Sequence, residues 1–73
     1  MYASPIVQEL NALIETEQQS LVIYIRSIVR DAAIAEDLTQ DTILRAHLGI
    51  SGLKDRTRLI PWLYKIATNI CRD

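Results

Sequence analysis

The sequence predicts an all-α fold, a compact bundle of three to four helices with a long loop before the last. Three observations lead there. Apolar residues recur at intervals of three and four along successive stretches, with polar residues on the far side of each. No stretch shows sustained apolar/polar alternation between turn signals, the mark of a half-buried strand. Both prolines, Pro5 and Pro61, stand where helical patterns begin. The chain has 73 residues, 49% of them apolar, enough for one domain near the size where a single core becomes marginal.

Met1 to Ala3 carry no organising signal and read as frayed. Ser4 before Pro5 is a helix start: the hydroxyl can accept an orphan amide, and proline in the first turn loses no needed donor. Ile6, Leu10, Leu13 and Ile14 then place a helix over residues 5–15. Thr16-Glu17-Gln18-Gln19 fits a capping box, which marks either a break between two helices or a kink in one long one. A helix over 17–30 follows, with Leu21, Ile25, Ile28 and Val29 as its inner stripe and Arg26 and Arg30 as an exposed basic pair.

Asp31 closes that element and is placed to cap the next, a helix from 32 or 33 to 48. This one buries Ile34, Ala35, Leu38, Thr42 or Ile43, and Ala46. Its outer side shows Asp37, Gln40, Asp41, Leu44 and Arg45. Gly49 suits the C-terminal cap. Residues 50–58 form a connection longer than most joints between packed helices, a place where binding residues tend to sit. Pro61 belongs in the first turn of the last helix, which carries Trp62, Leu63, Ile66 and Ile70 on one side and Lys65, Asn69 and Arg72 on the other.

The net charge of −1 argues at first against a nucleic-acid partner. Its distribution reverses that. Residues 1–44 hold Arg26 and Arg30 against seven carboxylates, a balance of −5; residues 45–73 hold six cations against Asp55 and Asp73, a balance of +4. A two-faced adaptor needs such segregation. Cys71 is the one cysteine and His47 the one histidine, so no internal disulfide forms and no metal-ligand spacing is present. Two glycines are too few for a phosphate-cradling loop, and no Ser/His/Asp or Cys/His set can be assembled. No enzyme activity and no cofactor are expected. No apolar run is long enough to cross a bilayer and no cleavable signal leads the chain, so the expectation is a cytoplasmic protein without a membrane partner.

Two blocks then stand out. Ala35-Glu36-Asp37-Leu38-Thr39-Gln40-Asp41-Thr42-Ile43-Leu44-Arg45-Ala46 resembles conserved region 2.2 of bacterial extracytoplasmic-function (ECF) RNA polymerase sigma factors, of the sigma-70 superfamily. Pro61-Trp62-Leu63-Tyr64-Lys65-Ile66-Ala67-Thr68-Asn69 is similar to the start of the promoter-reading helix of the same domain. Tyr24-Ile25-Arg26-Ser27-Ile28-Val29-Arg30-Asp31 is similar to the weaker segment that precedes them. The resemblance covers residues 5–73. It implies that residues 1–73 are a single region 2 domain, a fragment without the family's C-terminal −35-reading domain and unable to direct initiation alone.

The resemblance implies two partners. Asp37, Gln40 and Asp41, with Leu44 and His47 at the edge, would meet the clamp helices of the largest subunit of core RNA polymerase. Trp62, Lys65 and Asn69 would face the non-template strand of the promoter −10 element, with the preceding loop around an unstacked base. Residue chemistry agrees: Lys54, Arg56, Arg58, Lys65 and Arg72 can neutralise phosphates, Asn69 offers a donor and an acceptor to a base edge, and Trp62 can stack or simply anchor the loop. An anti-sigma factor is a further implied partner. Ile43 and His47 stand where the family usually has aromatic residues, and Leu63 where primary sigma factors have a second tryptophan. Two competing readings are a helical protein-interaction module without DNA binding and a helix-turn-helix reader of duplex DNA. The long joint and the apolar start of the last helix disfavour the second. The first turns on whether the basic residues gather on an exposed surface separate from Asp37, Gln40 and Asp41.

Overall fold

Three helices, α1 (Pro5–Val29), α2 (Ala32–Gly49) and α3 (Leu59–Arg72), follow one another in the computed structural model, with single 3-10 turns at Ile50–Gly52 and Arg56–Arg58 between the last two. The structure describes residues 4–72; Met1 to Ala3, read above as frayed, and Asp73 lie outside the described residues. The all-α expectation holds, and among the described residues there is no strand.

α1 resolves the alternative left at Thr16: there is one long helix, with no break. The Thr16 hydroxyl donates to the Leu13 carbonyl at 2.9 Å, a bond made within a continuing helix rather than at a cap. The cause is the inner stripe. Leu10, Ile14, Leu21 and Ile25, all buried, keep one line only if the helix runs uninterrupted. Between Ile14 and Leu21 that line passes Glu17, an acid, and the missing apolar residue is what imitates a helix end. Ser4 caps the start, its Oγ accepting from the Val7 amide at 3.4 Å. At 25 residues and about 1.5 Å each, α1 is about 37 Å long; this matches the longest dimension of the molecule, 37 Å.

Arg30 ends α1 in the left-handed region, φ 58°, and its amide donates to the Arg26 carbonyl at 2.8 Å. Asp31 then caps α2 as expected, with Oδ1 accepting from the Ile34 amide at 3.0 Å. The inward side of α2 is narrow: Ala35, Thr39, Thr42 and Ala46 are all fully buried. Both threonine hydroxyls stay satisfied by donating one turn back, Thr39 to the Ala35 carbonyl and Thr42 to that of Leu38. Small side chains there bring α2 close to both other helices, and each pair of helices is in contact.

Two residues expected inside are not. Ile34 is 49% exposed because it lies a quarter turn from the line through Ala35. Ile28 is 43% exposed in the last turn of α1, where the chain leaves the bundle. Gly49 is also corrected: it is the last residue of α2, with φ −103° and ψ −2°, and makes no left-handed cap. The backbone runs on into the turn Ile50–Gly52, which keeps the buried Ile50 pointing into the core.

α3 begins at Leu59, so Pro61 is its third residue, where no helical partner waits for an amide. Leu59, Leu63, Ala67 and Ile70 face inward; Trp62 and Ile66, expected there too, are half-buried at the flank. α3 runs along α1 in the same direction: Tyr64 reaches Glu17, and Thr68 reaches Tyr24.

Candidate functional site

The outer side of α2 carries the first candidate surface. Successive residues at intervals of three and four, Asp37, Gln40 or Asp41, Leu44 and Leu48, point away from the buried line of Ala35, Thr39, Thr42 and Ala46. Leu44 is 56% exposed and Leu48 76%, so two leucines one turn apart stand in water beside polar groups. His47 is exposed next to them. Asp41 turns to Arg45 at 3.7 Å, an ordinary pair one turn along the helix. Asp37 and Gln40 face instead a groove between α1 and α2, which Glu15, Gln18, Gln19 and Glu36 complete. Among the described residues no cation pairs with Glu15, Glu36 or Asp37, so the groove keeps its negative charge.

The second surface forms where the connection meets α3. Leu53, Arg58, Pro61, Trp62 and Lys65 line a recess of about 240 Å³ that shares no residue with the α1–α2 groove. Its walls are apolar and aromatic, and two cations stand at it. The indole of Trp62 lies against the end of α2: a Cβ at Gly49 would sit 3.6 Å from its Cζ2. Trp62 therefore anchors the loop and also leaves part of its ring at the recess. Asn69 and Arg72 follow Lys65 along the same exposed side of α3, one and two turns on.

The connection is built by local bonds. Asp55 caps the turn Arg56–Arg58: its Oδ1 accepts from the Thr57 amide at 3.0 Å and from the Thr57 hydroxyl at 2.6 Å. Those two bonds hold the Asp55 carboxyl below its ordinary value. The Arg58 amide donates to the Asp55 carbonyl, and its Nε lies 3.9 Å from Asp55 Oδ2. Lys54 is exposed beside them. Arg56 does not join the recess. Its Nη1 turns the other way and donates to Glu9 Oε1 of α1 at 3.2 Å.

Of the residues singled out from the sequence, the structure brings Arg58, Trp62 and Lys65 together and sets Asp37 and Gln40 apart from them. Arg56 goes elsewhere. Spacing alone does not single out Leu48, the last residue of the expected helix, or Leu53, an apolar residue within a polar loop. That contrast was the available signal. Burial pushes the Cys71 thiol up, away from reactivity. Among the described residues no three His, Cys, Asp or Glu side chains gather to hold a metal ion, and no helix is long and apolar enough to cross a membrane.

Known proteins resemble this chain in sequence. RNA polymerase sigma factor CarQ of Myxococcus xanthus is 42% identical over 50 residues, 68% of this chain and 29% of that protein. ECF RNA polymerase sigma factor SigM of Bacillus subtilis is 37% identical over 50 residues, 68% of this chain and 30% of that protein. ECF RNA polymerase sigma factor SigG of Mycobacterium tuberculosis is 49% identical over 37 residues, 51% of this chain and 10% of that protein. The match thus spans less than a third of each relative's length. No solved structure matches. Residues 13–73 match the family model for sigma-70 region 2, the segment that holds the α2 and α3 surfaces, and the chain belongs to that family, in its ECF branch.

Proposed function

We propose that this chain is the part of a transcription initiation factor that docks on the clamp helices of core RNA polymerase and reads the non-template strand of the promoter −10 element. The observation that carries this reading is the separation of two chemically unlike surfaces: the acidic groove and exposed leucines of α2, and the basic, aromatic recess before α3. Asp37, Gln40, Asp41, Leu44, Leu48 and His47 serve docking, in which desolvated leucines supply affinity and the surrounding polar groups supply register. The recess admits one unstacked base against Trp62; Arg58, Lys65, Lys54 and Arg72 neutralise phosphates, and Asn69 reads a base edge. Leu63 carries no ring and is fully buried, so Trp62 is the member of that pair that a base can stack on. One ring in place of two makes strand opening weaker and more dependent on a good promoter.

The test is binding of the chain to fluorescent single strands carrying randomised −10-like sequences at two salt concentrations, with and without a clamp-helix fragment. Asn69→Ala flattens the sequence preference. Lys65→Ala weakens all sequences alike and reduces the salt slope by about one. Leu48→Glu lowers clamp binding and leaves the oligonucleotide preference intact. Clamp binding without any oligonucleotide binding removes the DNA half of the reading and leaves a protein-interaction module.

A further inference from the structure

We propose that Glu9 is a positioning residue for the loop that forms the base recess, acting through Arg56; the inference rests on the DNA-reading role proposed above. The turn Arg56–Arg58 places side chains two residues apart on opposite sides. Arg58 lines the recess with Trp62, and Arg56 reaches back to α1, where its Nη1 lies 3.2 Å from Glu9 Oε1 across 47 residues of chain. A guanidinium tied down on the α1 side fixes which way the turn faces, and so holds Arg58 and Leu53 at the recess.

The other bonds of the connection are local: Asp55 with Thr57, the Leu53 amide with the Ile50 carbonyl, and the Arg58 amide with the Asp55 carbonyl. They shape each turn, and the Leu59 amide joins the second turn to α3 through the Arg56 carbonyl, but none of them ties the connection to α1. The Glu9–Arg56 bridge does, over an apolar floor of Ala12, Leu13, Leu59 and Ile60. Both side chains are about half exposed, 54% for Arg56 and 47% for Glu9, so the pair contributes little to folding as a whole. Its effect belongs to the loop, whose residues are mostly exposed. Glu9 also precedes residue 13, where the family match begins, so this brace comes from the chain's own first turns.

The experiment compares the 73-residue chain with Glu9→Gln, Arg56→Gln, the double variant and the exchange Glu9→Arg/Arg56→Glu. Arg26→Gln is the control, an exposed α1 charge outside both surfaces. Three quantities are read: the ratio of the dissociation constant for a scrambled single strand to that for a preferred one, the salt slope, and amide exchange at residues 53–58. Each single variant lowers the ratio about threefold, the size an exposed pair supports. The double variant lowers it no further, the exchange restores most of it, and the salt slope stays unchanged. If Arg56→Gln instead weakens all sequences equally and reduces the slope by about one, Arg56 is a phosphate contact and the positioning role falls. An equal effect of Arg26→Gln also overturns it, as a general charge effect. If the unaltered chain shows no sequence preference, the DNA-reading role fails, and amide exchange decides the brace alone. Faster exchange at 53–58 in Glu9→Gln, reversed by the exchange variant, upholds it, and unchanged exchange refutes it.

Discussion

Tyr24 of α1 and Tyr64 of α3 meet edge to face, ring centroids 5.3 Å apart and planes inclined at 74°. The polar ends of both rings are also used. The Thr68 hydroxyl spends its one proton on the Tyr64 carbonyl at 2.8 Å, so Tyr24 is the donor in the 2.7 Å bond between Tyr24 Oη and Thr68 Oγ1. Tyr64 donates to Glu17 Oε1 at 3.2 Å, and burial followed by that carboxylate raises its phenol above the ordinary value. This cluster fixes the height of α3 along α1 and therefore where Lys65 and Asn69 stand. Tyr24→Phe keeps the ring contact, leaves Thr68 able to donate, and lowers stability by about 1 kcal/mol in urea unfolding. An unchanged midpoint would mean that water already satisfies that hydroxyl.

Gly49 offers a sharper test of the backbone. A glycine at a left-handed cap is costly to replace, but this one is right-handed at the end of α2. The new Cβ would meet Trp62 at ordinary contact distance. Gly49→Ala is accordingly neutral or raises stability by up to about 1 kcal/mol, read as a rise in thermal midpoint. A loss of that size would restore the left-handed cap.

Arg30 is the converse case. It is exposed, and it is the non-glycine residue with positive φ among the described residues. Arg30→Gly removes the clash of Cβ with the following carbonyl and stabilises the chain by about 1 kcal/mol, measured by chemical unfolding. Arg30→Ala should not do so.

The Asp55 cap makes the loop sensitive to acid. Its carboxyl is held below the unfolded value by two bonds from Thr57. A lowered folded value means that the contribution is fully present above the unfolded carboxylate value, about 3.9, and is lost as pH falls through the lowered one. Protection of the amides of residues 55–58, taken against the intrinsic exchange rate at each pH, therefore falls below about pH 4, before the helices unfold. Asp55→Asn, which keeps an acceptor but cannot titrate, flattens that dependence.

Much of the fold was legible because helix starts are written locally. Ser4-Pro5 and Asp31 announced their caps, and the structure has both. Period alone misled where a polar residue sits on an inner line. Glu17 looked like a helix end because nothing local reveals that Tyr64, 47 residues on, will donate to it. Ile28 and Ile34 looked like core for the opposite reason, since side-chain type does not say how far the cover of neighbouring helices extends. In the site, the exposed outer side of α2 and the row Lys65, Asn69 and Arg72 followed from spacing. Arg56 did not, because its direction depends on Glu9.

By itself the sequence determined the helical class, the order of the elements, the segregation of charge and, through two blocks of residues, the family. Each depends on neighbours within a turn or two, where propensity, capping and period act. Only the tertiary structure decided that α1 is continuous, that small residues line the inside of α2, that Arg58 and Lys65 share a recess with Trp62 while Arg56 turns to α1, and that Leu48 stands in water. These are contacts between residues far apart in the chain. Burial and long-range hydrogen bonds set them, and both become defined only once the three helices have packed.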